Sequence, residues 1–77
     1  MHSSSVIKGI RGKRLLSQKN VADMMGISRQ TYNVLENDLL NNDFVLMFKL
    51  LKTLDLSENE TDEFFNALKQ DYESYET

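Results

Sequence analysis

The residues with the most specific spacing lie between 17 and 37, where polar caps and a glycine delimit two short amphipathic segments. Ser17 and Ser28 are of a type that caps helix N-termini, because their hydroxyls accept a hydrogen bond from a first-turn backbone N–H. Gly26 lies between them and supplies the left-handed backbone that ends a helix without steric cost. Two short helices joined by such a turn form a helix-turn-helix, whose second helix can enter the major groove of DNA. The chemistry predicted for this segment is therefore recognition of a nucleic-acid groove.

The residues inside this segment have the sizes and spacings that two crossing helices require. Ala22 is small, and helices that cross steeply leave no room for a larger side chain between them. Apolar residues recur at the intervals at which one face of each helix points inward. They are Val21, Met24 and Met25 in the first helix, Ile27 in the turn, and Tyr32 and Leu35 in the second helix. We therefore predict one helix from 17 to about 25 and a second from 28 to about 37.

The sequence contains few side chains of the types that carry out catalysis. The chain has no cysteine, which excludes disulfides, thiolate nucleophiles and thiolate metal sites. The single histidine, His2, lies in a polar N-terminus and is expected to be solvated. Four carboxylates cluster at the start of the last predicted helix, where they suit the helix dipole better than a metal site: Glu58, Glu60, Asp62 and Glu63. We expect a protein that is not an enzyme and that uses no metal or cofactor.

Helical periodicity extends over the remainder of the chain, and no segment shows the alternation of a strand. Further helices are predicted over roughly 5–15, over 44–54 after a polar break at 41–43, and over about 57–75. Ser57 and Glu60 have the spacing of a capping box at the start of the last one. The chain has no proline and only three glycines, so no linker divides it. The sequence predicts one all-α domain of five helices over residues 1–77.

Periodicity also predicts which faces of the outer helices are buried. The helix over 44–54 has an apolar face wide enough for a central core helix, formed by Phe44, Met47, Phe48, Leu50, Leu51 and Leu54. In the last helix, plotted at about 100° per residue, one narrow sector holds Phe64, Phe65, Leu68, Tyr72 and Tyr75. In the first helix Gly9 and Gly12 each cost about 1 kcal/mol relative to alanine. These glycines either admit a closely packed neighbour or only weaken the helix.

Charge is distributed unevenly between the two halves of the chain. Residues 1–36 carry six cations and two anions, a net charge of +4, whereas residues 37–77 carry three cations and ten anions, a net charge of −7. This asymmetry is typical of a basic binding face with an acidic far side. No apolar run approaches the roughly 20 residues that span a bilayer, and no signal-peptide pattern follows the first basic residues. We expect a cytoplasmic protein with no membrane partner.

Residues 7–57 resemble the lambda-repressor-like helix-turn-helix family, which includes phage repressor and Cro proteins, Xre-type regulators and many antitoxins. The resemblance is carried by Leu16-Ser17-Gln18, Val21-Ala22, Gly26-Ile27-Ser28-Arg29-Gln30-Thr31, Leu35-Glu36-Asn37 and the segment from Leu50 to Ser57. It implies a five-helix DNA-binding domain in a bacterial or phage-encoded transcriptional regulator. It further implies a repressor that binds a palindromic operator in double-stranded DNA as a homodimer.

The resemblance also implies which side chains meet base edges. Arg29 and Gln30 follow the cap of the second helix, where arginine can pair bidentately with guanine and glutamine with adenine. Asn33, one turn further on, is placed to reach a base edge or a phosphate. Val34 has no hydrogen bond to offer, but its methyl groups can meet a thymine methyl.

Other family positions correspond to contacts with the DNA backbone, which orient the protein without reading sequence. Gln18 is the family's phosphate contact at the start of the second helix, through the helix N-terminus and its amide side chain. The remaining backbone-contact candidates are Ser28, Thr31 and Asn37, with Lys8, Lys13, Arg14 and Lys19 as generic phosphate contacts. Arg11 and Glu36 stand at positions that form a structural ion pair in family members, and Tyr32 is expected in the core.

The sequence departs from the family pattern at two loops. Leu15 stands where the family often has glycine, so the first turn must close differently. The loop over 38–43 has two aspartates and no cation, where many members have a basic loop that grips phosphate. An acidic loop would repel DNA, so we expect it to turn away or to help bury a partner.

The last helix is longer and more aromatic than a minimal domain requires. Family members commonly dimerise through surfaces near this region, which places two half-sites about 34 Å apart. The candidate dimer residues are Phe65, Tyr72 and Tyr75. We expect Phe64 and Leu68 in the core, with Tyr72 and Tyr75 at a dimer contact or in solvent.

A protein-interaction module is the alternative from a different functional class. An antitoxin or an anti-repressor would keep this fold and use the acidic C-terminal half to bind a protein partner such as a toxin. The acidic loop and the net charge of −7 favour this interpretation, whereas Arg29 and Gln30 favour DNA. The two functions are compatible in one chain.

Overall fold

The computed structural model describes residues 2–76, with side chains described up to Ser74. Five helices follow one another, and no strand occurs within the described range. They are α1 (Ser3–Lys13), α2 (Gln18–Met25), α3 (Arg29–Asn37), α4 (Phe44–Leu54) and α5 (Glu58–Glu76). The all-helical fold class and the helix-turn-helix at α2 and α3 are thereby confirmed. None of the helices in this range is long and apolar enough to cross a membrane.

Side-chain caps fix where four of the helices begin. The Ser17 hydroxyl accepts a hydrogen bond from the backbone N–H of Asn20 at 3.0 Å, and the Ser17 backbone N–H donates to Asn20 Oδ1 at 2.9 Å, which completes a capping box. Ser28 accepts from the backbone N–H of Thr31 at 3.0 Å. Asp43 caps α4, and the predicted box at the start of α5 forms between Ser57 and Glu60. Each cap satisfies a backbone donor that has no partner within its own helix.

The core lies where α1 packs against α3 and α5 and where α2 packs against α3 and α4. Every helix contributes to it, and Leu39 adds a side chain from the loop between α3 and α4. Its buried apolar residues are Val6, Ile7, Ile10, Val21, Ala22, Met25, Tyr32, Leu35, Leu39, Met47, Leu50, Leu54, Phe64 and Ala67. The structure thereby confirms the small residue at the helix crossing, the core position of Tyr32 and that of Phe64. Leu68 is half-buried against the same core.

Three side chains that periodicity assigned to the core are exposed instead. Phe44 is 71% exposed, Phe48 is 53% exposed and Met24 is 52% exposed. In α4 the buried residues Met47 and Leu50 share one sector with Leu54, and at about 100° per residue Phe44 and Phe48 lie about 90–130° from its centre. The apolar face of α4 is therefore wider than the face that the core covers.

The first helix ends two residues earlier than predicted because Leu15 takes a left-handed backbone conformation, with φ of 57°. Its side chain is 90% exposed, so no packing compensates for that conformation. Gly26 takes the same region with φ of 73° and ends α2 as predicted. At Gly9 and Gly12 an added Cβ would meet nothing within 4 Å, so these glycines only weaken α1.

Candidate nucleic-acid interface

The third helix has one buried and one exposed face, and all four predicted base-contact residues lie on the exposed one. Tyr32, Leu35 and Glu36 point inward and are fully buried. The exposed side chains are Arg29, Gln30, Thr31, Asn33, Val34 and Asn37. Such a stripe can lie along a groove while the opposite face stays packed on the domain.

The N-terminus of this helix is held by a local hydroxyl pair. The Ser28 hydroxyl accepts from the Thr31 backbone and donates to the Thr31 hydroxyl oxygen at 2.9 Å. The Ser28 hydroxyl therefore both accepts and donates a hydrogen bond within the cap. The Thr31 hydroxyl only accepts there, so its proton is available to another acceptor. Arg29 and Gln30 follow directly and are exposed.

Behind the exposed stripe, a buried carboxylate joins α1, α2 and α3. Glu36 accepts hydrogen bonds from Arg11 Nε at 2.8 Å, from Gln18 Nε2 at 3.0 Å and from the Tyr32 hydroxyl. Arg11 also donates from Nη2 to the second Glu36 oxygen at 3.2 Å. These contacts confirm the ion pair predicted for Arg11 and Glu36. The pair is structural, because the Glu36 side chain is completely buried.

The titration properties of this cluster follow from its hydrogen bonds. Burial raises the pKa of Glu36, but the donors of Arg11, Tyr32 and Gln18 outweigh it and the pKa lies below its usual value. The hydrogen bond to Glu36 raises the pKa of Arg11 against the opposing effect of burial. Burial, together with the bond to Glu36, raises the pKa of Tyr32. Glu36 and Arg11 therefore stay ionised while Tyr32 keeps its proton, and the cluster fixes the orientation of α3 relative to α1 and α2.

A second set of hydrogen bonds links amide side chains along the edge of the exposed stripe. Gln18 Nε2 donates to Asn33 Oδ1 at 3.1 Å. Asn37 Nδ2 donates to the backbone oxygen of Asn33 at 2.9 Å and to Asn33 Oδ1 at 3.1 Å, and Lys8 Nζ donates to Asn37 Oδ1 at 3.0 Å. Sequence reasoning missed this set. Only the spacing of Asn33 and Asn37, which places them one turn apart, hints at it.

Of the predicted backbone-contact cations, Arg14 is bound within the protein, whereas Lys19 and Lys13 are exposed. Arg14 binds Glu60 through both terminal nitrogens, at 2.7 Å and 3.0 Å, so it connects α1 to the start of α5. Lys19 pairs with Asp23 at 3.0 Å, with both side chains largely exposed. Lys13 is exposed, and within the described range it forms no ion pair. Among these cations, Arg14 is the one committed to a structural contact.

The acidic loop between α3 and α4 has structural roles for both aspartates. Asp43 accepts from the backbone of Val45 at 2.7 Å, at the start of α4, where a negative charge suits the helix dipole. Asp38 accepts from the side-chain nitrogen of Asn41 at 3.3 Å. Leu39 holds the loop in the core. Both aspartates of the loop therefore have a hydrogen-bonding role within the domain.

Exposed apolar side chains are concentrated on α4 and, to a lesser extent, on α5. On α4, Phe44 and Phe48 stack with ring centroids 6.0 Å apart, and Val45 is 74% exposed. We call these three residues the α4 apolar face, which periodicity did not find because it assigned both aromatics to the core. On α5 the dimer candidates Phe65 and Tyr72 are exposed, while the side chain of Tyr75 lies outside the described residues.

The N-terminus is tied to α5 by a carboxylate. Asp71 accepts from the backbone N–H of Ser3 at 3.1 Å and from the Ser3 hydroxyl, and its other oxygen lies 3.0 Å from His2 Nδ1. Burial raises the pKa of Asp71, but these contacts outweigh it and the pKa is lowered. No group of three or more His, Cys, Asp or Glu side chains in the described part of the chain is arranged to hold a metal ion.

The family model described as Helix-turn-helix matches residues 7–60, well over half of the chain, and this range contains α2, α3 and α4 in full. Neither a curated protein nor a solved structure matches the sequence.

Proposed function

The chain belongs to the Xre and lambda-repressor-like helix-turn-helix family, a family of DNA-binding transcriptional regulators, and we propose that it is a repressor that binds a palindromic operator as a homodimer. The family is not an enzymatic one. The proposed function also implies that the protein acts in the cytoplasm, because the operator DNA lies there.

One observation carries the proposal: the exposed stripe of α3 presents Arg29 and Gln30 directly after a capped N-terminus. Neither side chain has a hydrogen-bond or ion-pair partner among the described residues. The buried face of the same helix is fixed by Glu36 and its donors. A rigid helix with free donors at its start is what direct readout in the major groove requires.

Each side chain of the stripe has a distinct role in this proposal. Arg29 pairs with guanine through two donors, and Gln30 pairs with adenine through one donor and one acceptor. Val34 is 60% exposed and packs against a thymine methyl group. Each bidentate pair contributes about 1–3 kcal/mol of discrimination against the wrong base.

Contacts to phosphates set the position of the stripe in the groove. The first backbone N–H groups of α2, at Gln18 and Lys19, face a phosphate, since a helix N-terminus favours an anion. The Thr31 hydroxyl and the exposed Lys13 add further donors. Lys19 leaves Asp23 at little cost, because an exposed pair contributes only about 0.3–0.5 kcal/mol.

In the proposed dimer, α5 of one protomer meets α5 of its partner. Phe65 and Tyr72 are exposed on this helix, and Tyr75 extends the same sector in the sequence. Their rings supply apolar area of the kind that dimer interfaces bury. The two α3 helices then reach half-sites about one helical turn apart.

Binding of a protein partner, such as a toxin or an anti-repressor, is the second candidate, and the α4 apolar face favours it. Phe44, Val45 and Phe48 are each more than half exposed and are adjacent on one helix. Contiguous apolar surface of this kind marks interaction sites in many proteins. This function does not exclude DNA binding, because the exposed stripe of α3 and the α4 apolar face lie on different helices and share no residue.

Selection of bound sequences from a randomised duplex pool tests the proposal. Wild-type protein is expected to enrich a palindromic motif, and the Arg29→Ala/Gln30→Ala variant is expected to lose base preference at matching positions of each half-site. Lys49→Ala/Asn66→Ala is the matched control, since it also removes one cation and one amide, from exposed positions of α4 and α5. It is expected to retain the motif.

Two results would argue against the proposal. Folded wild-type protein that enriches no sequence at low salt does not bind an operator, and a protein partner then becomes the first candidate. An affinity that barely changes with salt would also contradict it, because neutralising several phosphates makes affinity fall steeply as salt rises.

A further inference from the structure

The carboxamide of Asn33 is exposed on the α3 stripe, and its own hydrogen bonds restrict what it can bind. Asn33 Oδ1 accepts from Gln18 Nε2 and from Asn37 Nδ2, each at 3.1 Å. A carboxamide oxygen has two lone pairs, so both acceptor positions are occupied. Asn33 Nδ2 has two hydrogens and no partner among the residues that the structure describes. The Asn33 carboxamide can therefore offer another molecule only the two hydrogens of its nitrogen.

One neighbour fixes this orientation through Glu36. Gln18 Nε2 donates to Glu36 Oε1 at 3.0 Å as well as to Asn33. The Glu36 carboxylate can only accept, so Gln18 must turn its nitrogen toward it. Asn33 must then meet the second hydrogen of that nitrogen with its oxygen.

The other neighbour fixes the same orientation independently. Asn37 Nδ2 donates to the backbone oxygen of Asn33, which can only accept, and Asn37 Oδ1 receives the ammonium of Lys8, which can only donate. The orientation of the Asn37 amide is therefore determined at both ends. The second hydrogen of Asn37 Nδ2 points to Asn33 Oδ1. Asn33 Oδ1 therefore accepts two hydrogen bonds, from Gln18 and from Asn37, whose orientations are fixed independently.

These bonds divide the three amides into two kinds. Both amide hydrogens of Gln18 and both of Asn37 are used inside the protein. The side-chain nitrogens of these two residues, which family resemblance assigns to the DNA backbone, therefore have no hydrogen left to donate. Only Asn33 carries amide donors that face outward.

Building on the proposed DNA-binding function, we propose that Asn33 reads DNA as a donor-only residue and that Gln18 and Asn37 are the positioning residues that make it so. Its partner is an acceptor: N7 and O6 of guanine, which take both hydrogens, or a single acceptor such as O4 of thymine, N7 of adenine or a phosphate oxygen. An unrestrained asparagine pairs bidentately with adenine, because its oxygen accepts from the N6 amino group while its nitrogen donates to N7. Asn33 cannot do so without breaking a bond to Gln18 or Asn37. It therefore makes at most one hydrogen bond to adenine but two to guanine, and it favours guanine.

Sequence preference and affinity of Asn33→Ala, measured on the duplex pool beside wild type and the distant amide control Asn66→Ala, test this assignment. Loss of a guanine or thymine preference at one position of each half-site assigns a base to Asn33. A drop of about 10-fold in affinity for all sequences alike, with the motif unchanged, assigns a phosphate. Loss of an adenine or cytosine preference overturns the proposal, and so does no change in either quantity.

The positioning role is tested by Gln18→Ala, which frees one lone pair of Asn33 Oδ1. If Asn33 contacts a base, Gln18→Ala is expected to add tolerance of adenine at the same position, a change that a loss of stability alone would not produce. If Asn33 contacts a phosphate, the affinity losses of Gln18→Ala and Asn33→Ala are expected to be non-additive in the double variant. An unchanged base profile in the first case, or additive losses in the second, contradicts the positioning role.

Side-chain amide exchange in the free protein, measured by NMR, separates this proposal from the proposed function. The amide hydrogens of Gln18 and Asn37 are expected to exchange slowly with water and those of Asn33 rapidly. The reverse order would disprove the restraint on Asn33 even if the protein binds DNA. Slow exchange at Gln18 and Asn37 in a protein that enriches no DNA sequence would instead refute the proposed function and, with it, the role of Asn33 in reading.

Discussion

The two halves of the molecule use their polar side chains in different ways. In residues 3–37, charged and amide groups are bonded to one another around Glu36, and the donors left over lie on the exposed face of α3. In residues 38–76, carboxylates at Asp43 and Glu60 begin helices, and the largest exposed apolar side chains lie on α4. The polar contacts of the first half orient the exposed face of α3, whereas those of the second half mainly cap helices.

The difference shows that charge alone does not identify the binding half. The second half carries a net charge of −7, yet its acidic loop is accounted for by a helix cap and a loop turn. The first half carries a net charge of +4, but Arg11 and Arg14 are bound within the protein. Net charge therefore does not show which side chains are free: Arg29 and Gln30 of α3 have no hydrogen-bond or ion-pair partner among the described residues.

Two phenylalanines of the second half test how its surface differs from its core. Phe64→Ala is expected to destabilise the protein by about 4 kcal/mol, because Phe64 is fully buried and its removal leaves a cavity. Phe44→Ala is expected to cost about 0.5 kcal/mol, because the side chain is 71% exposed. Chemical denaturation of both variants measures the difference. Similar losses would mean that the α4 apolar face is part of the core.

Two ion pairs of the first half test the buried cluster against the surface. Arg11→Ala is expected to cost about 3 kcal/mol, because it leaves the buried carboxylate of Glu36 without its cation. Lys19→Ala breaks an exposed pair and is expected to cost about 0.3–0.5 kcal/mol. Urea unfolding at neutral pH compares them. A small effect at Arg11 would contradict the orienting role of the cluster.

The two left-handed turns of the first half are expected to respond in opposite directions. Leu15→Gly should stabilise the protein by about 1 kcal/mol, because glycine takes positive φ without strain and the exposed leucine loses no packing. Gly26→Ala should destabilise it by about 1 kcal/mol for the same reason, since φ at this position is 73°. Thermal unfolding checks both signs. A stabilising Gly26→Ala would refute the account of the turn.

Acid sensitivity tests the contact that joins the halves. The Arg14 guanidinium and the backbone N–H of Ser57 lower the pKa of Glu60 from 4.5 to about 2. The resulting stabilisation is complete above pH 4.5 and disappears as pH falls toward 2. Glu60→Gln is therefore expected to be less stable than wild type at pH 7, with the difference shrinking over that window.

Glu58→Gln is the matched control for this titration, since it removes a carboxylate from the same helical turn without touching Arg14. Its difference from wild type should change less with pH than that of Glu60→Gln. If the two variants follow the same pH profile, the ion pair with Arg14 is not the cause.

The parts of the fold that the sequence predicts are those with local causes. The bounds of α2, α3 and α4 agree with the predicted ones because Ser17, Ser28 and Asp43 lie beside the backbone groups that they cap. Gly26 ends α2 for an equally local reason. The ion pair of Arg11 and Glu36 was predictable only from family resemblance, because 25 residues separate its partners.

The parts that the sequence does not predict depend on neighbours distant in the chain. Periodicity finds the apolar residues of α4 but not which of them the core covers, so it misplaced Phe44 and Phe48. The bond between Arg14 and Glu60 spans 46 residues and has no sequence signal. The hydrogen bonds that occupy Asn33 Oδ1 depend on Gln18, Asn37, Glu36 and Lys8 together, so the type of residue 33 alone does not reveal them.

Affinity for the selected duplex, compared between single cation removals in the two halves, tests most directly whether α3 reads DNA. Arg29→Ala is expected to weaken binding by at least about 10-fold, since it removes a bidentate base contact. Lys49→Ala, which removes an exposed cation of α4, is expected to change affinity by less than about twofold. Equal losses, or a larger loss at Lys49, would show that DNA does not lie along the third helix.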